Sequence, residues 1–169
     1  MGYVHNTHLA QYIPPNAMHY VTGTWTQTAG VIADTIALHR AQANETTVIN
    51  IPIVIPSNSS AEKGSKLTSI QFDYELIGAA NTSVTPVLNK VTRGADGAVA
   101  VVAAVAQTMN LVAATSAATQ EQHRMIVTVT TPAWIDNDEY YLLEVSIVAG
   151  AGATTTNVLA AVAYYTMRA

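Results

Sequence analysis

The chain has 169 residues, no cysteine and a formal net charge of −4, and only 11% of its residues are charged. The lack of cysteine excludes disulfides, thiol catalysis and cysteine metal sites, and so little, slightly acidic charge argues against a nucleic-acid partner. A chain of this length fits one domain with its own core. Its charge-poor surface leaves two alternatives: an ordinary threonine-rich β surface, or one partly buried against other subunits.

The first 23 residues show neither a helical nor a strand periodicity. Two adjacent prolines fix an extended stretch through which no helix can continue. We predict an extended N-terminal arm over residues 1–23, followed by a β domain over residues 24–169, and we expect Tyr12, Ile13 and Pro14 to lie on a neighbouring subunit. A floppy terminus is the alternative. No secretory signal and no membrane-spanning run is present, so no membrane partner is expected.

From residue 24 the chain alternates apolar and polar side chains in short stretches, a period of two that a helix cannot use. Strands are predicted at 25–28, 31–38, 46–55, 67–77, 84–92, 125–131, 140–148 and 158–167. Residues 39–45 are predicted as a polar turn, and Pro52 indicates an edge position or a bulge. About eight short antiparallel strands with Gly, Ser, Asn and Asp loops predict an all-β, single-domain β-sandwich of the jelly-roll type.

Two strands carry the clearest predictions about faces. Residues 67–77 should place four apolar side chains inward and three polar ones outward: Ile70, Phe72, Tyr74 and Leu76 against Gln71, Asp73 and Glu75. The strand at 158–167 is apolar on both faces, with Val158, Ala160, Val162 and Tyr164 on one and Leu159, Ala161, Ala163 and Tyr165 on the other. Such a strand is central in its sheet or lies at a subunit interface. We therefore predict a homo-oligomer that buries Leu159 and Tyr165.

Residues 94–122 are rich in alanine and could form a helix by propensity. Their valines, their Thr and Ser residues and the all-β surroundings favour two weak strands and a mobile loop instead.

The polar clusters have mostly structural interpretations. His5, His8 and His19 could bind zinc or nickel, but their spacing suits a helix and the segment is not helical, so a polar interface arm is favoured. Asp136, Asp138 and Glu139 could bind calcium, but the full calcium loop is absent and an ordinary turn is favoured.

No sequence motif for catalysis or nucleotide binding is present, including the G-x-S-x-G elbow and the P-loop. The sequence therefore predicts no enzyme activity, no catalytic residue, no cofactor and no metal site.

The segments GSKLTSIQFDYELIGAANTSVTPVLNKVT, RMIVTVTTPAWIDNDEYYLLEVSIVA and NVLAAVAYYTMRA resemble a family of proteins. These are the small, cysteine-free, Ala/Thr/Val-rich structural proteins of tailed bacteriophages, and the resemblance covers about residues 66–169. It implies a jelly-roll module that decorates or stabilises a phage head, or serves as a fibre or tail accessory, commonly as a trimer. The implied partners are the major capsid protein or another virion protein, and the implied location is the virion surface after assembly in the host cytoplasm.

A second function stays open. A jelly roll can also bind a carbohydrate or a receptor, and Trp25, Trp134 or paired tyrosines could then stack on sugar rings.

Overall fold

The computed structural model describes residues 5–29, 36–57, 64–98, 100–111 and 120–168. Within these ranges the chain forms twelve strands: β1 (Asn6–Ile13), β2 (His19–Tyr20), β3 (Trp25–Ala29), β4 (Ile36–Ala43), β5 (Thr47–Ile53), β6 (Ser65–Gly78), β7 (Ser83–Thr92), β8 (Val101–Ala104), β9 (Gln107–Met109), β10 (Gln120–Val129), β11 (Glu139–Val148) and β12 (Thr154–Arg168). Two short 3-10 turns, Pro15–Ala17 and Ala95–Gly97, complete the described elements. None of the described helical turns is long and apolar enough to cross a bilayer.

The strands form two antiparallel sheets that pack face to face. Sheet A has the order β3-β4-β12-β6-β10-β9, and β1 also pairs with β12. Sheet B has the order β2-β5-β11-β7-β8. The fold is therefore an all-β sandwich, as the alternating pattern predicts.

The core between the sheets comes from the faces that the alternation identifies. In β6 the four predicted inward residues, Ile70, Phe72, Tyr74 and Leu76, are all fully buried. From sheet B they meet Ile49, Ile51 and Ile53 of β5, together with Leu143 and Val145 of β11. β2 pairs with only two described residues of β5, Asn50 and Ile49, and Pro52 lies beyond them. Pro52 has no N–H to donate, so its place on an edge that no described strand covers agrees with the prediction.

β12 is the central strand of sheet A, as its two apolar faces predict. On one side it pairs with β6 along its length, and on the other it pairs first with β4 and then with β1. The predicted faces are wrong in one respect, because the register shifts between Val158 and Ala160. Leu159 is the extra residue of this bulge, so Val158 faces sheet B whereas Ala160 lies opposite Asp73 on the other side.

The N-terminal segment differs from the predicted arm. Residues 6–13 pair in continuous register with residues 161–168 of β12, and β2 pairs with β5 in the opposite sheet. Ile13 is 4% exposed and belongs to the core of its own chain. The described part of this segment, residues 5–23, therefore contributes one strand to each sheet.

Two other segments are informative. The two weak strands predicted within residues 94–122 are β8, which pairs with β7 in sheet B, and β9, which pairs with β10 in sheet A. Residues 112–119 of the same range lie outside the described residues, so the mobile loop stays a prediction. The turn predicted within residues 39–45 is confined to residues 44–46 between β4 and β5, because residues 39–43 continue β4 and pair with β3 or β12.

Candidate binding face on sheet A

Sheet A has an outer face, directed away from sheet B, that carries both aromatic and polar side chains. The hydrogen-bond register places Tyr12 opposite Val162, Val162 opposite Gln71, and Gln71 opposite Ile126. These four side chains form one row across β1, β12, β6 and β10. Tyr12, at the outer end of this row, is 60% exposed.

Tyr164 lies next to this row. It is two residues beyond Val162 on β12, which makes it the diagonal neighbour of Tyr12 on the same face. Its hydroxyl donates a hydrogen bond to Oε1 of Gln71 at 3.3 Å. Tyr12 and Tyr164 are thus two aromatic rings on one surface, and Gln71 orients the second of them.

An ion pair follows on the other side of Gln71. Nε and Nη2 of Arg124 donate to the two carboxylate oxygens of Asp73 at 2.9 and 2.8 Å. The hydrogen bond to Asp73 and then its charge raise the pKa of Arg124, and Tyr164 adds a smaller contribution. Because the Arg124 side chain remains 62% exposed, its remaining N–H groups can reach a ligand.

A groove of about 420 Å³ adjoins this ion pair. It is lined by Asp73, Gln122, His123, Arg124 and Leu159. Leu159 reaches this surface because the bulge turns it out of the regular alternation. The ring of His123 is stacked on Tyr74, with centroids 4.8 Å apart, so the inner wall of the groove is rigid.

The alternation predicts that Glu75 points outward into solvent, and the structure differs from this prediction. It is fully buried, and its Oε2 accepts a hydrogen bond from Nδ2 of Asn157 at 2.7 Å. Oδ1 of Asn157 in turn lies 2.8 Å from Nδ1 of His39. Glu75 Oε1 has no hydrogen-bond partner within the described ranges. The polar side of β6 is therefore solvated only in part.

The predicted interface residues lie in different places. Tyr12 is exposed on the outer face, Pro14 is half-buried, and Ile13 is buried in the core. Leu159 lines the groove, and Tyr165 is half-buried against the core. Whether they contact another subunit stays a prediction.

Neither tryptophan offers a free ring face comparable to that of Tyr12. Trp25 packs against Tyr20, with ring centroids 4.4 Å apart, and its Nε1 donates to the carbonyl of Thr22. Trp134 is approached by two cations, Lys66 and Arg168. Of the predicted sugar-stacking residues, only the paired tyrosines thus occupy a shared exposed surface.

Two of the three histidines considered for zinc or nickel binding lie in different sheets. His8 lies in sheet A, where its Nδ1 is 3.3 Å from Oγ1 of Thr166, whereas His19 lies in sheet B. No group of three or more described His, Asp or Glu side chains is arranged to hold a metal ion.

The turn before β11 is organised by Glu139. Its carboxylate accepts hydrogen bonds from Lys90, Thr92 and the N–H of Asp136. Burial acts to raise the pKa of Glu139, but these hydrogen bonds and the charge of Lys90 outweigh it, so the pKa is lowered. This arrangement agrees with an ordinary turn.

No protein-family model matches the chain, and no curated protein matches it. Among solved structures it is similar to three carbohydrate-binding proteins. The first is a carbohydrate-binding module of the β-sandwich superfamily, described for its promiscuous specificity, with 12% identity and a TM-score of 0.46. That match covers 90% of this chain but 54% of the other, so this chain spans about half the length of that protein.

The second structure is TmCBM61 in complex with β-1,4-galactotriose, with 10% identity, coverage of 92% and 86%, and a TM-score of 0.35. The third is a family 11 carbohydrate-binding module from Clostridium thermocellum with a β-1,3-1,4-mixed-linked tetrasaccharide, with 7% identity, coverage of 95% and 89%, and a TM-score of 0.34. These likenesses concern the fold, and they give no support to a phage virion protein. A ligand must be argued from the residues of this chain.

Proposed function

We propose that the chain is a non-catalytic carbohydrate-binding module whose ligand lies on the outer face of sheet A. The observation that carries this proposal is the exposed ring of Tyr12 beside Tyr164, on the same face as the Asp73–Arg124 ion pair. Aromatic rings bury the apolar faces of ligands, and a tyrosine does so at the boundary between apolar and wet surroundings.

The polar groups supply the complementary chemistry. A sugar presents pairs of hydroxyls, each of which donates and accepts, and Asp73, Arg124 and Gln71 offer carboxylate, guanidinium and amide groups that match such pairs. The groove at Leu159 and Gln122 extends this surface and gives a ligand a concave place to lie. These side chains stand on β1, β6, β10 and β12, which are rigid elements suited to holding a site.

The proposal is tested by a glycan array followed by calorimetric titration of the best oligosaccharide. Tyr12→Ala should weaken binding at least about tenfold, the loss expected when a stacking ring worth about 1.4 kcal/mol is removed. Tyr140→Ala is the matched control, because Tyr140 is half-buried on the outer face of sheet B. If no oligosaccharide binds, or if the two variants lose affinity equally, the proposal is wrong.

A structural role through self-association is a second candidate, and one specific observation favours it. Val101 and Val102 of β8 are 64% and 59% exposed, and Val87 of the neighbouring β7 is 41% exposed. β8 pairs with β7 on one side, and no described strand pairs with its other side. An apolar, uncharged edge strand of this kind is prone to pair with another chain.

A homotrimer built through this edge would suit the predicted subunit of a virion, in contact with the major capsid protein. Light scattering of the purified chain tests the self-association. Replacement of Val101 and Val102 by serine should shift the protein toward the monomer, whereas a wild-type protein that is monomeric at micromolar concentration would rule out this role.

A further inference from the structure

Half of the six described Lys and Arg residues are paired with a neighbouring carboxylate. Three of them form salt bridges within 4 Å: Arg40 with Glu45, Lys90 with Glu139, and Arg124 with Asp73. Lys66, Arg93 and Arg168 have no such partner among the described residues, and Lys66 and Arg168 lie together. In a chain with a net charge of −4, two adjacent cations without an acid are the exception.

These two cations meet at Trp134. Nζ of Lys66 lies 5.1 Å from the centroid of the indole ring, and Cζ of Arg168 lies 4.2 Å from it. Lys66 pairs with Thr166 in the β6–β12 ladder, and Arg168 is two residues further along β12, so the two side chains are diagonal neighbours on one face. We call Lys66, Arg168 and Trp134 the Trp134 site.

Backbone hydrogen bonds hold this site in place. The N–H of Ile135 donates to the carbonyl of Ser65 at 2.9 Å, which fixes the Trp134 loop against the start of β6. The N–H of Arg168 donates to the carbonyl of Gly64 at 3.1 Å. Because the ring attracts both cations, it keeps two like charges close together before any ligand arrives. A site ordered in advance loses less entropy on binding.

We propose that the Trp134 site binds an oxyanion, the carboxylate or sulfate group of an acidic glycan. This inference rests on the proposed carbohydrate-binding function and names its ligand class. The planar guanidinium of Arg168 can donate two parallel hydrogen bonds to two oxygens of one anionic group, and Lys66 adds a point charge.

The location of the site agrees with this ligand. Tyr164, Thr166 and Arg168 alternate along β12 on the outer face that also carries Tyr12. Arg168 lies four positions beyond Tyr164 along the strand, which corresponds to about 13 Å at about 3.3 Å per residue. One extended oligosaccharide can therefore stack on the tyrosines and place an anionic substituent at the Trp134 site.

The first experiment uses inorganic sulfate alone. The indole N–H resonance of Trp134 is followed by NMR as sodium sulfate is added, with sodium chloride at equal ionic strength as the reference. A saturable shift is expected for the wild type, and Lys66→Gln with Arg168→Gln should abolish it. Arg93→Gln, which removes an exposed cation from the turn after β7, is the matched control and should keep the shift. A wild-type resonance that does not respond specifically to sulfate would overturn the site.

The second experiment separates this inference from the proposed function. Three oligosaccharides of equal length are titrated: an uncharged galactan, an oligogalacturonate and a sulfated galactan. The two acidic ligands distinguish a carboxylate from a sulfate ester as the preferred group. At least one of them should bind about tenfold more tightly than the uncharged one, and the Lys66→Gln, Arg168→Gln variant should lose this preference but retain uncharged binding.

Equal binding of all three ligands would overturn the acidic-glycan inference and leave the proposed function standing. If none of them binds although sulfate shifts Trp134, the proposed function and the acidic-glycan assignment both fall.

Discussion

Nδ2 of Asn157 donates a hydrogen bond to Oε2 of Glu75 at 2.7 Å. The Glu75 side chain is fully buried. This contact places the Nδ2 side of the Asn157 amide toward Glu75 and its Oδ1 toward β4. Oδ1 of Asn157 lies 2.8 Å from Nδ1 of His39, within hydrogen-bond distance. A chain of three polar side chains thus crosses β4, β12 and β6.

Replacement of Glu75 by alanine should lower the free energy of unfolding by about 1–3 kcal/mol, because it leaves the buried amide of Asn157 without its acceptor. Glu75→Gln should cost less, since a side-chain amide oxygen can accept the same hydrogen bond. Urea denaturation at neutral pH measures both. Equal losses for the two variants would show that an acceptor for the Asn157 amide is not what this site requires.

Replacement of Phe72 by alanine should cost about 3–5 kcal/mol, since it opens a cavity in the middle of the core. Phe72 is fully buried and lies 5.2 Å, centroid to centroid, from Tyr74. Ser69→Ala, on the outer face of the same strand, should change the free energy by no more than about 0.5 kcal/mol. A loss below about 1 kcal/mol for Phe72→Ala would mean that its face is misassigned.

Replacement of Ile13 by alanine should cost about 2–5 kcal/mol, because Ile13 is buried between the sheets although it belongs to the N-terminal segment. Deletion of residues 1–13 should destabilise the domain further, since it exposes the backbone of β12 from residue 161 to 168. Chemical denaturation followed by circular dichroism compares both with the wild type. An unchanged midpoint after the deletion would restore the free arm predicted from the sequence.

The lowered pKa of Glu139 makes part of the stability depend on pH. A carboxylate whose pKa is lower in the folded than in the unfolded chain stabilises the fold above its ordinary pKa, here 4.5, and this contribution is lost as the pH falls through the folded value. The stability difference between wild type and Glu139→Gln should therefore shrink below about pH 4.5. Denaturation curves from pH 7 to pH 3 measure it, and a constant difference would contradict the prediction.

Alternation by itself identified most of the sandwich. Ile70, Phe72, Tyr74 and Leu76 of β6 are predicted inward because a strand has only two faces and one of them is apolar, and all four are buried. No comparable signal marked β1, whose exposed residues include threonine, histidine and tyrosine. Its partner is the far end of the chain, and a strand stabilised mainly by backbone pairing leaves little trace in its side chains.

The candidate site was likewise predictable from the sequence only in part. The sequence determined that tyrosines and charged residues alternate with the core, and it suggested paired tyrosines as a possible stacking surface. Only the tertiary structure decided that Tyr12 and Tyr164 are diagonal neighbours on one face, that a bulge turns Leu159 into the groove, and that Lys66 and Arg168 share one tryptophan. Periodicity is a local property of the chain. Register between strands more than 90 residues apart is fixed by packing of the whole sandwich, and that is why it could not be predicted from the sequence.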